Sequence, residues 1–171
     1  TKDEVLIIGF AAINGEPNAF YEKSDLEKIK ELLRQILIDE SVLKIGHNAG
    51  YFDRTVVEQH LGVTPAPLLD TLLLHKLAAS EFPHRLGFVA SLLLDVPAWK
   101  ADHTGVPAAT DQELHTYCST DVSVTARIVA PLRMTAAGRQ QLHLYPMDAK
   151  IQDLCAGMHR LGIRVAEGKR F

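Results

Sequence analysis

Apolar positions along the chain change their period, and each period predicts an element. "VLIIGFAAI" (5–13) is an unbroken apolar run with β-branched members, which predicts a strand. Asn14 and Gly15 follow it, and "PNAFYE" comes next. Both turn residues tolerate positive φ, so the stretch predicts a hairpin. Ser24 and Glu27 have capping-box spacing. Leu26, Ile29, Leu32, Leu33, Ile36 and Leu37 then recur at helical intervals, predicting an amphipathic helix of about four turns. "SVLKIGHN" (41–48) predicts a short buried strand that runs into polar residues. "FDRTVVEQHLG" predicts a helix closed by Gly62.

Further on, Pro65 and Pro67 mark a connection. "LLDTLLLHKLAAS" and "HRLGFVASLLL" predict two helices broken near Pro83, with Asp70 as an N-cap of the first. Residues 95–109 carry Pro97, Gly105 and Pro107 and predict a loop. Thr110 and Glu113 form a second capping box. Leu114, Tyr117, Asp121, Val124 and Ile128 make a helical stripe that Pro131 should end or kink. A last helix spans about Pro146 to Leu161, with Gly162 just past its end and with Met147, Met158 and Leu161 expected to pack in a core. Strands followed by helices predict an α/β sheet with helical cover.

Composition narrows the function classes. Lys and Arg total 18 against 21 Asp and Glu, a net charge of −3. That is not the basic profile of a protein holding nucleic acid by phosphate contacts alone. A nuclease stays open, because bound divalent ions supply positive charge locally. The two cysteines, Cys118 and Cys155, form no CxxC pair, which argues against a structural zinc site and a disulfide framework. No apolar run approaches the roughly 20 residues of a membrane span, and no secretory leader is visible. The expected location is the cytoplasm of a bacterial or phage-infected cell.

Candidate chemistry begins with "YCSTD" (117–121). Residues four apart on a helix share a face, so Tyr117 and Asp121 can enter one cleft. "GHNAGYFDR" (46–54) sets Asn48 at a strand end and Phe52 and Asp53 at the start of the next helix. An acid there also has a plain explanation, complementing the helix dipole.

These two motifs, "KIGHNAGYFD" and "YCSTD", in this order and with "LLDTLLLHKLAAS" and "PAWK" between them, resemble those of the DEDD-type 3′–5′ exonucleases. The chain is similar to the tyrosine subgroup, and within it to the proofreading domain of family A DNA polymerases. The resemblance covers about residues 5–135. It implies a ribonuclease H-like mixed sheet with flanking helices. It implies two divalent cations, Mg²⁺ or Mn²⁺, about 3.5–4 Å apart on carboxylates. It also implies roles for single residues. Asp121 and Asp53 would be metal ligands, and Tyr117 would orient the attacking water. Asn48 and Phe52 would line the channel for a single-stranded DNA 3′ end. His47 would touch substrate or serve as a structural hydrogen-bonder, and Lys100, in the loop with Asp102 and His103, would contact phosphate. His75, His84 and Cys118 would be structural.

One family motif is missing. An Asp-x-Glu on the first strand supplies two of the four carboxylates in such enzymes, and no strand before residue 50 carries one here: Asp3 and Glu4 are adjacent, and Asp25 and Glu27 have the spacing but fall at the start of the predicted amphipathic helix. The resemblance therefore implies a domain (1–140) lacking its first strand, followed at 141–171 by the start of a polymerase region. Residues 1–171 alone should then bind metal weakly and cut poorly. An RNA-trimming exonuclease of the same superfamily, or a non-catalytic nucleic-acid-binding domain on this fold, are the competing expectations.

Overall fold

The computed structural model describes residues 7–11, 17–99 and 111–162. Strand β1 (Ile7–Ala11) pairs antiparallel with β2 (Pro17–Glu22), as the strand-like runs on either side of Asn14-Gly15 predict. Asn14 and Gly15 themselves, like Asp3, Glu4, Lys100, Asp102, His103 and Thr110, lie outside the described residues. Helix α1 (Lys23–Ile38) follows, starting one residue before Ser24. Its Leu33 is buried, but Leu32 and Ile36 are exposed.

Strand β3 (Lys44–Gly46), helix α2 (Phe52–Leu61) and strand β4 (Leu68–Asp70) form a βαβ unit whose strands are parallel, with Gly46 opposite Asp70. The fold is thus mixed, one antiparallel pair and one parallel pair. Gly62 closes α2 in the left-handed region (φ 68°), and its N–H reaches the Glu58 carbonyl. Gly62→Ala is therefore expected to cost about 1 kcal/mol, read as a lower urea midpoint, because an L side chain resists that φ.

Helix α3 (Thr71–Ala78) starts directly after β4, and α4 (Leu86–Leu93) follows. The "LLD" that the sequence assigns to a helix is a strand. Three residues are too few to show a period, and it is the pairing with β3 that sets their conformation. Helix α5 (Asp111–Gly138) is the longest element and packs on β1, β2, β3, α3 and α4. Pro131 lies inside it and does not end it. Ile128, Leu132 and Ala136 are fully buried on both sides of the proline, and this packing outweighs the roughly 3 kcal/mol that an interior proline costs.

The core lies between α3, α4 and α5, with Leu74, Leu77, Leu86, Val89, Val124, Ile128 and Leu132 at its centre. A 3₁₀ turn (Leu142–Leu144) leads into α6 (Tyr145–Leu161), which has Pro146 in its first turn and Gly162 at its end. Helix α6 does not bury the residues expected of it. Met147, Met158 and Leu161 are all exposed, as are Ile151 and Leu154. The opposite face makes the contacts: Ala156 is buried, Gln152 reaches β4, and Asp153 and Arg160 pair with Arg54 and Glu58 of α2. No helix among the described residues is long and apolar enough to cross a membrane.

Candidate active site

The site is built from a turn and a helix face. The chain leaves β3 at Gly46 and enters a tight turn in which Asn48 takes a left-handed conformation (φ 62°), one that asparagine tolerates better than most residues. The Phe52 N–H bonds the Asn48 carbonyl at 3.0 Å, and the Arg54 N–H bonds the Ala49 carbonyl at 2.9 Å. These bonds start α2, so Phe52 and Asp53 occupy its first turn. Phe52 is exposed. On α5, Tyr117 and Asp121 lie one turn apart; Tyr117 is exposed and Asp121 half-buried.

Electrostatics bring the two motifs together. Asp53 stays open to solvent on one side, yet enough protein surrounds its carboxyl to raise its pKa. A backbone hydrogen bond opposes that rise, and the like charges of Asp70 and Asp121 add to it. The Cys118 thiol, next to Tyr117, is pushed up by burial and then by Asp121 and Asp53. Asp53 and Asp121, on different elements, are thus near enough for each charge to be felt in the other's neighbourhood.

Trp99 was not foreseen. Its indole N–H donates to Asp121 Oδ1 at 2.8 Å, and its ring packs against the core. It is the only tryptophan in the chain, and its place in "PAWK", a segment that shares the family resemblance, is the signal in the sequence that points to it.

Asp70 is an N-cap, as its place before Thr71 predicts, accepting from the Leu72 N–H at 2.9 Å. It is also almost fully buried, and it bonds the β3–α2 turn and α6.

His47 has both ring nitrogens engaged inside the protein. Nδ1 lies 2.9 Å from Thr71 Oγ1 and Nε2 lies 2.8 Å from the His84 carbonyl oxygen. His75 is buried, with its Nδ1 2.7 Å from Nδ1 of His84. One ring must donate and the other accept, so the pair cannot carry two added protons and keep this contact. Burial lowers the pKa of His75, and repulsion from His84 and His47 lowers it further; burial and Lys76 lower His84. A depressed folded-state pKa gives stability that is present above the ordinary histidine value and lost as pH falls through the folded one. The urea midpoint is therefore expected to drop between about pH 7 and pH 5; a midpoint constant across that window would refute the assignment. Glu58, whose pKa is lowered by bonds from Thr64, Arg54 and Arg160 against its burial, acts only at more acid pH.

A cavity of about 180 Å³ lies behind the turn, lined by Arg54, Asp70, Tyr145, Gln152 and Asp153 among others. Neither Asp53 nor Asp121 lines it, so it is not the cleft. The fit to a divalent cation rests on the Asp53–Asp121 pair. Their carboxylates are hard oxygen donors, the ligand type such an ion takes. Among the described residues no group of three or more His, Cys, Asp or Glu is arranged to hold a metal.

Comparison with known proteins follows the same lines. The family model described as 3′–5′ exonuclease matches residues 5–135. No curated protein matches the chain. Among solved structures, Brucella melitensis NrnC is 25% identical, with a TM-score of 0.67 over 76% of this chain and 64% of that one. NrnC with bound Mg²⁺ gives 24% identity and a TM-score of 0.64 over the same shares. Escherichia coli RNase D, an exoribonuclease involved in structured RNA processing, gives 20% and 0.57, over 75% of this chain and 34% of that one. The chain thus spans less than two thirds of these relatives, on a shared ribonuclease H-like fold. The family match takes in both the turn that carries Asp53 and the helix that carries Tyr117 and Asp121, and on that basis the chain belongs to the DEDD-type 3′–5′ exonuclease family.

Proposed function

We propose that this domain removes nucleotides from the 3′ end of single-stranded DNA and proofreads for a DNA polymerase of family A type. The observation that supports the exonuclease chemistry is the family match over both motifs, together with the mutual influence of the Asp53 and Asp121 charges and the place of Tyr117 one helical turn from Asp121. The polymerase context rests on the motif order and on the resemblance of the tail. In this reading residues 141–171 begin the polymerase region.

Asp53 and Asp121 would hold divalent cations, which supply an activated water and stabilise charge on the phosphate and the departing 3′ oxygen. The exposed Tyr117 phenol would orient that water by hydrogen bonding. Trp99 holds the Asp121 carboxylate in one rotamer. The exposed Phe52 ring would offer a stacking platform for a terminal base, and Asn48, four residues before it, would line the same channel. Both His47 nitrogens are occupied, so His47 would support the turn from below. Lys100 would meet a phosphate from its loop.

A second reading, trimming of RNA ends, is favoured by the likeness to NrnC and RNase D. The test is Mg²⁺-dependent trimming of end-labelled single-stranded DNA and RNA of the same sequence. The expected result is faster loss of 3′ nucleotides from DNA, abolished by chelation. The rate should be slow for residues 1–171 and higher when an Asp-x-Glu strand is supplied in the same chain. Faster trimming of RNA would replace the first reading with the second, and no trimming of either by both chains would end both.

A further inference from the structure

We infer that Asp70 is a positioning residue that holds the β3–α2 turn in the conformation presenting Asn48 and Asp53 to the cleft. The inference rests on the exonuclease reading for its purpose and on geometry for its substance. Asp70 ends β4 and is 1% exposed. Each carboxylate oxygen takes two N–H donors. Oδ1 accepts from the Asn48 N–H at 2.8 Å and the Leu72 N–H at 2.9 Å. Oδ2 accepts from the Gly50 N–H at 3.1 Å and from Gln152 Nε2 at 2.8 Å. The Asp70 N–H itself donates to the Tyr145 hydroxyl at 2.6 Å. One buried anion thereby joins the turn, the start of α3 and the inner face of α6.

An N-cap needs only the Leu72 bond. The bonds to Asn48 and Gly50 are extra, and they fall on two alternate donors, either side of Ala49, in the turn leading to Asp53. Asn48 is the residue with positive φ, so its N–H direction depends on the conformation that the bond selects. Gly50 fits tightly: a Cβ there would stand 1.9 Å from Gln152 Oε1, so any side chain would push Gln152 off Asp70. The turn, the carboxylate and the glutamine form one interlocked unit. From 20 residues away in sequence, Asp70 sets where α2 begins and so where its first acid points.

The test uses residue-resolved amide exchange in the 171-residue chain, with Asp70→Asn and Asp70→Ala. An asparagine keeps one acceptor. With its oxygen in the Oδ1 position it still serves Asn48 and Leu72, and Gln152 can turn its amide to accept from the new NH₂. Only the Gly50 N–H then loses its acceptor. In Asp70→Asn, Gly50 exchange should rise by about tenfold or more while Asn48 keeps pace with the core amides of Ile128 and Leu132. In Asp70→Ala, Asn48 and Gly50 should both exceed the core. Equal acceleration at Asn48, Gly50 and the core amides in both variants would show that the turn holds itself, and would overturn the inference. If Asp70→Ala does not fold, the contrast of Gly50 with Asn48 in Asp70→Asn decides alone. Added Mn²⁺ is the second readout. It should broaden residues 48–53 and 121 together in the wild-type chain, but spare 48–53 in whichever variant shows fast exchange in the turn. Fast exchange in the turn with no Mn²⁺ effect in the wild type would remove the metal-dependent reading and leave Asp70 as the residue that holds the turn.

Discussion

Asp121→Asn is expected to reduce 3′-end trimming by more than about 10²-fold, beyond the about 10–100-fold loss seen when a group that merely orients a metal ligand is removed. The fold should survive, because the asparagine carbonyl can still accept from the Trp99 indole N–H at the place of Oδ1. The loss then isolates the negative charge and the second oxygen. The charge of Asp121 also acts on Asp53. With Asp121 neutral, one of the like charges that raise the Asp53 pKa is gone, so Asp53 should ionise at lower pH in the variant. Tyr117→Phe is the companion. The residue is exposed, so stability should not move, and the rate should fall by up to about 10²-fold, the scale expected when a reacting group is held less well. Initial rates on an end-labelled single strand at saturating Mg²⁺ measure both. Trimming by Asp121→Asn at the wild-type rate would remove residue 121 from the site.

Leu74→Ala is expected to destabilise the protein by about 2–5 kcal/mol. Leu74 has no exposed surface and sits among Val89, Ile128 and Leu132, where α3, α4 and α5 meet. Those helices cannot close over the missing methyl groups without breaking their other contacts. Against a typical total of about 5–15 kcal/mol, this is enough to unfold a large share of the chain on mild heating. Leu132→Ala should cost about as much, because Leu132 is fixed in the same cluster after Pro131. Met158→Ala on the exposed face of α6 should stay within about 0.5 kcal/mol. Urea unfolding measures all three, and a large effect at Met158 with a small one at Leu74 would mean that the core is misplaced.

The sequence by itself determined what local chemistry determines. Gly62 ends α2 because only a residue free at positive φ suits that cap, and Asp70 caps α3 because its side chain reaches a nearby N–H. Ile7–Ala11 and Pro17–Glu22 pair antiparallel as the strand-like runs around Asn14-Gly15 predict, and Tyr117 and Asp121 share a face because helices repeat that way. The two family motifs were readable because each is continuous in the chain.

Only the tertiary structure decided the rest. Leu68–Asp70 is a strand because β3 lies beside it, and α5 passes Pro131 because a core waits on the far side. Met147, Met158 and Leu161 have the spacing of a buried face, but α2 and β4 hold α6 by its polar side through Gln152, Asp153 and Arg160. Trp99 reaches Asp121 across 22 residues, and Gln152 reaches Asp70 across 82. A period along the chain reports which side chains share a face. It does not report which face meets a partner, because burial is decided between elements and the sequence gives their order without their docking.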